Sequence, residues 1–360
     1  MTRGRYEAFD PGGGAALVLR DSVAELKRVD AVVFDCDGTL IDARLSYDAT
    51  IMRTVSRMVE EFAAVSLPME EVGGEMILKI RRTGGFNSDW DTTYALSLFS
   101  YAAIERSRAN GKTGTGDVLA RLGELVGRFS ARSRLAGCRS ADRFLTREGL
   151  ASEGLREFRK FMGFPENANR STMATAFDQL YYGGRLFRRI YGIRPPVWSE
   201  RGLIENETLF VGREDLTRFK RIIGGRRMAI ATGRPYVAVR HTLGRLLGFF
   251  DRDASVYIGD GDVRPELAAE LARYRKPSGA SLIRAWEKLS ASVMLYIGDS
   301  AEDRLMVDNA RKRYRKVLFA GIYGSSFDEE SQASYFGKTG SDMVVRSLNQ
   351  VPALLEMILK

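Results

Sequence analysis

The chain has 360 residues, 44% of them apolar and 28% charged, which excludes a single small core and points to two water-soluble globular domains. No apolar stretch approaches the roughly 18 residues of a membrane span, and the opening Met1-Thr2-Arg3-Gly4-Arg5-Tyr6-Glu7 lacks an apolar signal core, so a cytoplasmic protein is expected. Two cysteines, Cys36 and Cys138, exclude a disulfide framework, while the net charge of +9 raises the question of an anionic partner.

Taken in chain order, Pro11-Gly12-Gly13-Gly14 reads as flexible, and Ala15 to Val29 as an added edge strand and short helix. A short, β-branched strand follows over Val29–Phe34 and runs into Asp35-Cys36-Asp37-Gly38-Thr39-Leu40. Two carboxylates at the exit of a buried strand suit phosphoryl transfer, because one can attack phosphorus while the other shuttles the leaving group's proton. Cys36, between them, reads as a small apolar filler whose thiol pKa is raised by the surrounding negative charge.

Residues 42–215 read as a helical domain inserted after that strand. Ile51, Val55, Met58, Val59 and Phe62 make one stripe at helical spacing, and Tyr94, Leu96, Leu98, Ala102 and Ile104 a looser one. Between Tyr101 and Glu200 stand 18 Lys and Arg against 10 Asp and Glu, so nearly all the positive excess sits in the middle third. It reads as a solvated arginine-rich surface or as a rim that draws in an anionic substrate; the dense basic runs of a nucleic-acid motif are missing. The stretch Arg81 to Asp91 contains Gly84, Gly85, Asn87, Asp89 and Trp90. It fits a glycine-ended helix followed by a capped one, and equally a specificity loop in which Asn87, Asp89 or Trp90 meets substrate. Tyr181-Tyr182-Gly183-Gly184-Arg185 is a weaker candidate of the same kind, or an interhelix turn.

Residues 216–360 return to short strands alternating with helices: Met228–Ala231, Ser255–Ile258, Val293–Ile297, Lys316–Ala320 and Met343–Val345. Together with the strand before Asp35, these predict a parallel, doubly wound α/β sheet of Rossmann type, its ligands at the C-terminal strand ends. There the second strand offers Thr232 and Gly233, with Pro235 starting a helix whose N-terminus favours an anion. Lys276, before Pro277, is expected in extended backbone and able to reach back toward the site. After the fourth strand, Ser300 can cap a helix, placing Asp299 at the strand end and Asp303 one turn on. Clustered carboxylates near Asp35 and Asp37 call for a cation, and oxygen donors suit Mg²⁺. Tyr257-Ile258-Gly259-Asp260-Gly261-Asp262 nearly duplicates Tyr296-Ile297-Gly298-Asp299; it reads as a loop closing the third strand. His241, the single histidine, is expected to be structural.

Asp35-x-Asp37-Gly38-Thr39, Thr232, Lys276 and Asp299-xxx-Asp303 resemble, in order, the four motifs of the haloacid dehalogenase superfamily. The resemblance implies Asp35 as nucleophile forming an aspartyl-phosphate, and Asp37 as acid and then base. It implies Thr232, Gly233 and Lys276 as phosphate-binding groups, and Mg²⁺ held by Asp35, the backbone carbonyl of Asp37, Asp299 and Asp303. It also makes the helical insertion an enlarged cap that selects substrate. The acid at position 37 disfavours dehalogenation. The expected activity is therefore an Mg²⁺-dependent phosphatase for a small phosphorylated metabolite, with a phosphomutase or a catalytically silent binding protein as alternatives. Neither nucleic acid nor membrane is expected as a partner, and the sequence specifies no oligomeric state.

Overall fold

Short runs of Val, Ile, Ala and Phe bounded by glycine and polar turns become strands whose residues are almost all buried, as a sheet covered on both faces requires. The computed structural model describes residues 4–83, 86, 88–112, 114–132, 138–166, 168, 170–193, 201–225 and 228–360. Among these the strands are β1 Tyr6–Phe9, β2 Ala16–Leu19, β3 Ala31–Phe34, β4 Ile41–Asp42, β5 Thr208–Leu209, β6 Ala229–Thr232, β7 Val256–Tyr257, β8 Met294–Gly298, β9 Val317–Ile322 and β10 Met343–Val345. The chain forms two units, Met1–Ala43 with Glu207–Lys360, and Arg44–Asn206. Residues 207–215, grouped with the helical block in the sequence, lie in the first unit, where β4 and β5 pair with each other.

The first unit is built on an eight-stranded sheet ordered β1-β2-β10-β9-β8-β3-β6-β7. The run from β10 to β7 is parallel, giving the α/β doubly wound core that the alternation of strands and helices predicts. Strand order reverses at β3, with β6 and β7 on one side and β8, β9 and β10 on the other, and such a switch point opens a crevice at the C-terminal strand ends. Phe34 fixes β3 from one face, its ring edge-on to Phe219 at 5.1 Å and Phe250 at 5.7 Å. Tyr296, Phe319 and Phe336 belong to the buried cluster on the sheet.

The N-terminal segment holds more structure than its composition suggests. β2 and the short helix Val23–Leu26 match the expected edge strand and helix, but β1 also forms. The glycine-rich stretch between β1 and β2 closes an antiparallel hairpin laid against β10. The Gln350 amide donates to the carbonyls of Gly12 and Gly14, each at 2.9 Å. The glycines hid this, because the hydrogen bonds that order them come from a side chain over 300 residues away in sequence.

The second unit is helical throughout its long elements. Helix Asp89–Ala109 is buried along most of its length, which explains why its apolar stripe is loose in the sequence: a helix surrounded on all sides needs no polar face. Helix Arg44–Ala63 buries Ile51, Val55, Met58 and Val59, while the Phe62 ring meets Phe158 at 5.1 Å and Tyr101 at 5.3 Å. Helix Thr172–Tyr191 carries the Tyr181–Arg185 stretch and kinks at Gly183, whose φ of 70° and ψ of 164° are non-helical. A Cβ at Gly183 would lie 2.3 Å from the Gly202 nitrogen, and one at Gly202 2.4 Å from the Tyr182 carbonyl carbon. The paired glycines are thus a backbone-to-backbone contact.

Candidate active site

β3 delivers Asp35 into the crevice, and the Asp35 N–H continues the ladder onto the Ile297 carbonyl at 2.9 Å. The chain then folds back, Gly38 donating to the Ile41 carbonyl at 2.9 Å. Gly38 has φ +69°, and a Cβ there would sit 1.9 Å from Asp299 Oδ2, so the loop after β3 can touch the Asp299 carboxylate only because residue 38 has no side chain. Gly298 does the same for Asp303, whose Cγ would lie 2.6 Å from an added Cβ.

Lys276 joins the two acidic loops, its Nζ lying 2.8 Å from Asp35 Oδ2 and 2.6 Å from Asp303 Oδ1. The lysine reaches the site from a tight turn, in which the Ser278 N–H donates to the Arg275 carbonyl at 2.9 Å. Ser300 is the N-cap of helix Ala301–Arg311, and Asp303 completes a capping box with it. Asp303 also accepts from the Tyr296 hydroxyl at 2.7 Å, the Ser300 hydroxyl at 2.7 Å and the N–H groups of Ser300 and Asp299 at 3.0 and 3.2 Å.

Ligand oxygens of Asp35, Asp299 and Asp303 lie within 4.8 Å of one another. Burial raises the Asp35 pKa to about 7, with Asp303 and Asp37 adding to the push and Lys276 opposing it. Asp299 is also held well above the usual carboxylate range, by burial and then by Asp303 and Asp35. Burial acts against ionised Asp303 too, but Lys276, Tyr296 and Ser300 outweigh it and keep that carboxyl low. Lys276 stays cationic because Asp303 and Asp35 overcome its own burial. A buried, all-oxygen cluster with two carboxylates repelling each other fits a hard divalent cation. Burial likewise raises the Cys36 thiol, with Asp35 adding to it, so a filler role suits this residue.

Asp37 turns its side chain elsewhere. Its Oδ1 accepts from Arg234 Nε at 2.8 Å and Nη2 at 2.5 Å. Arg234 is in turn paired with Glu207, Nη1 to Oε2 at 2.8 Å and Nη2 to Oε1 at 2.9 Å, and Thr242 donates its hydroxyl to Glu207 at 2.7 Å. Sequence reasoning passed over Arg234, Glu207 and Tyr296. Arg234 directly follows the Thr232-Gly233 pair, which was the one available signal. Thr232 is fully buried at the end of β6, next to β3, and its hydroxyl accepts the Arg234 N–H at 3.1 Å. A Cβ at Gly233 would meet nothing within 4 Å, so this face is open.

The near-duplicate acidic segment does other work. Residues Asp260–Val263 form a short helix, not a loop. Asp260 accepts the Tyr236 N–H at 2.7 Å and pairs with Arg264 at 3.0 Å, so its carboxylate occupies the helix N-terminus that follows Pro235. Asp262 pairs with Arg275 at 3.0 Å. His241 is exposed on that same helix, Tyr236–Leu243. In the helical unit, Asp89 and Asp48 hold Arg81 between them at 2.8 and 2.7 Å. Trp90 donates its indole N–H to buried Asp178 at 3.1 Å. Asn87 lies outside the described residues.

Among solved structures the chain is similar to the phosphatase Tt82 from Thermococcus thioreducens, at 22% identity over 91% of this chain and 99% of that one, with a TM-score of 0.55. It is also similar to a Northeast Structural Genomics Consortium target, at 15% identity over 92% and 99%, again with a TM-score of 0.55. At these identities the likeness establishes the fold. No curated protein matches the chain. The profile of the haloacid dehalogenase-like hydrolases matches residues 29–311, a span that begins just before β3 and ends with the helix that follows Asp299. The chain belongs to the haloacid dehalogenase-like hydrolase family.

Proposed function

We propose that this hydrolase is an Mg²⁺-dependent phosphatase that cleaves a small phosphorylated metabolite through an aspartyl-phosphate on Asp35. The observation that carries the reading is the placement of Asp35: a buried strand-end carboxylate held by Lys276 at 2.8 Å and clustered with Asp299 and Asp303. Asp35 attacks phosphorus, the bond to the leaving oxygen breaks, and that oxygen departs with its electron pair and takes a proton from Asp37. Asp37 then accepts a proton from water as the water attacks the same phosphorus. The bond to Asp35 breaks, its electron pair returns to the carboxylate, and phosphate is released. Thr232, the Gly233 N–H and Lys276 hold the phosphate oxygens, which makes positioning and charge compensation the main contributions.

Asp35, Asp299 and the Asp37 carbonyl would hold the cation. Asp303 is near enough to join them, but its oxygens already serve Lys276, Tyr296 and Ser300, so we assign it to organising the site. When bound, the cation neutralises carboxylate and phosphate charge. Substrate choice is assigned to the helical insertion, and Asp89 and Trp90 are the first positions at which to test it. The decisive assay is hydrolysis of p-nitrophenyl phosphate with and without Mg²⁺, wild type against Asp35→Asn. Activity should need the metal and fall at least about 1,000-fold in the variant, the scale expected when a covalent nucleophile is lost. Equal rates in the two proteins would overturn the assignment.

A further inference from the structure

The ion chain Asp37–Arg234–Glu207 has an unusually complete geometry. Both edges of the Arg234 guanidinium are used. One edge, Nη1 and Nη2, meets both oxygens of Glu207; the other, Nε and Nη2, converges on the single oxygen Oδ1 of Asp37. The Arg234 and Glu207 side chains are 1% and 0% exposed, whereas that of Asp37 keeps 41% of its surface. A buried arginine already paired in bidentate fashion with a buried glutamate is electrically and geometrically satisfied. The second edge serves another group, and that group is the proton-transfer carboxylate of the reaction proposed above. Among the described residues no hydrogen bond reaches Asp37 Oδ2.

We infer that Arg234, braced by Glu207, is a positioning residue for Asp37: it pins Oδ1 so that Oδ2 is presented as the oxygen that gives its proton to the leaving group and takes one from water. The inference rests on the phosphatase reading. The brace is rigid because it is dry, and the working oxygen can act because it is not. Thr242, donating to Glu207 at 2.7 Å, fixes the far end. Glu207 is also the first residue after the helical unit, so the brace begins where the chain returns to the sheet.

A positioning role for the acid differs from a merely structural one in its dependence on the leaving group. Phenolate from phenyl phosphate needs the proton more than nitrophenolate from p-nitrophenyl phosphate does. Arg234→Gln should lower kcat/KM, which reports the step in which the phenol departs and not the later hydrolysis common to both esters, by roughly 30-fold on phenyl phosphate but by less than about threefold on p-nitrophenyl phosphate, within the range of general acid catalysis. Asp37→Asn should show the same selectivity, and adding Arg234→Gln to it should cost nothing more. Glu207→Gln and Thr242→Val, which loosen the brace while leaving the guanidinium in place, should give a weaker version of the same pattern; they decide the matter if Arg234→Gln does not fold. A wild type that hydrolyses neither ester with Mg²⁺ overturns the phosphatase reading and the inference with it. An active wild type whose Arg234, Glu207 and Thr242 variants lose kcat/KM on both esters in equal proportion, or on neither, overturns the inference alone.

Discussion

At the scale of single residues, the site is organised around Asp303 as much as around Asp35. Its two oxygens collect a lysine, a tyrosine hydroxyl, a serine hydroxyl and two backbone N–H groups, so Lys276 is held between two fixed carboxylates. Tyr296→Phe removes one of those donors from a fully buried acceptor. It should cost about 1–2 kcal/mol, the usual size of a lost buried hydrogen bond, read as a lower midpoint in urea unfolding with an unchanged slope. Asp35, Asp37, Asp299, Asp303 and Lys276 were legible in the sequence because each stands just after a recognisable strand, in the first turn of the helix that follows one, or before a proline. Arg234 and Glu207 were not. An arginine after a glycine and a glutamate near the end of a helical stretch look like surface charges, and only the fold reveals that both are buried and face each other. Tyr296 was hidden for the opposite reason: inside Val293–Ile297 it counted as one more strand residue, with nothing to mark its hydroxyl as used.

At the scale of elements, regular spacing was readable where a helix has one wet face and unreadable where it has none. Helix Asp89–Ala109 is of the second kind. The kink at Gly183 was also out of reach, since its cause is the backbone of Gly202. That contact yields a sharp expectation. Gly202→Ala would force a methyl to within 2.5 Å of the Gly183 nitrogen and should destabilise the protein by about 3 kcal/mol or more, the class of backbone overpacking. Gly127→Ala is the control. A Cβ there meets nothing within 4 Å, and within helix Thr115–Arg132 the change should be neutral or stabilising by up to about 1 kcal/mol. Chemical denaturation of the two variants side by side checks both outcomes.

At the scale of the whole chain, two units carry different kinds of charge. The first concentrates buried acids at strand ends, and the second holds most of the positive excess. Crowding Asp35 and Asp299 together costs stability that a bound cation would return. Mg²⁺ at 100 times its dissociation constant should add about 2.7 kcal/mol through linkage alone. Thermal melts should therefore shift upward with Mg²⁺ and fall back with EDTA, and the Mg²⁺ shift should shrink in Asp299→Asn. No helix among the described residues is long and apolar enough to cross a membrane. The alternation of strands and helices made the parallel core legible. The hairpin at its edge escaped because its order depends on Gln350, near the far end of the chain.

The pairing of β4 with β5 has an architectural consequence. Asp42 stands opposite Thr208, so the chain leaves the sheet and comes back to it through one doorway only two strands wide. A fold with such a doorway can exchange what hangs beyond it, by recombination or by design, without rewiring a single strand of the catalytic sheet. The doorway's return side opens with Glu207, the residue that braces Arg234. An exchange that stops at Asn206 would therefore leave that ion pair untouched, because Glu207 belongs to the sheet unit and marks the seam at which a new segment could be joined.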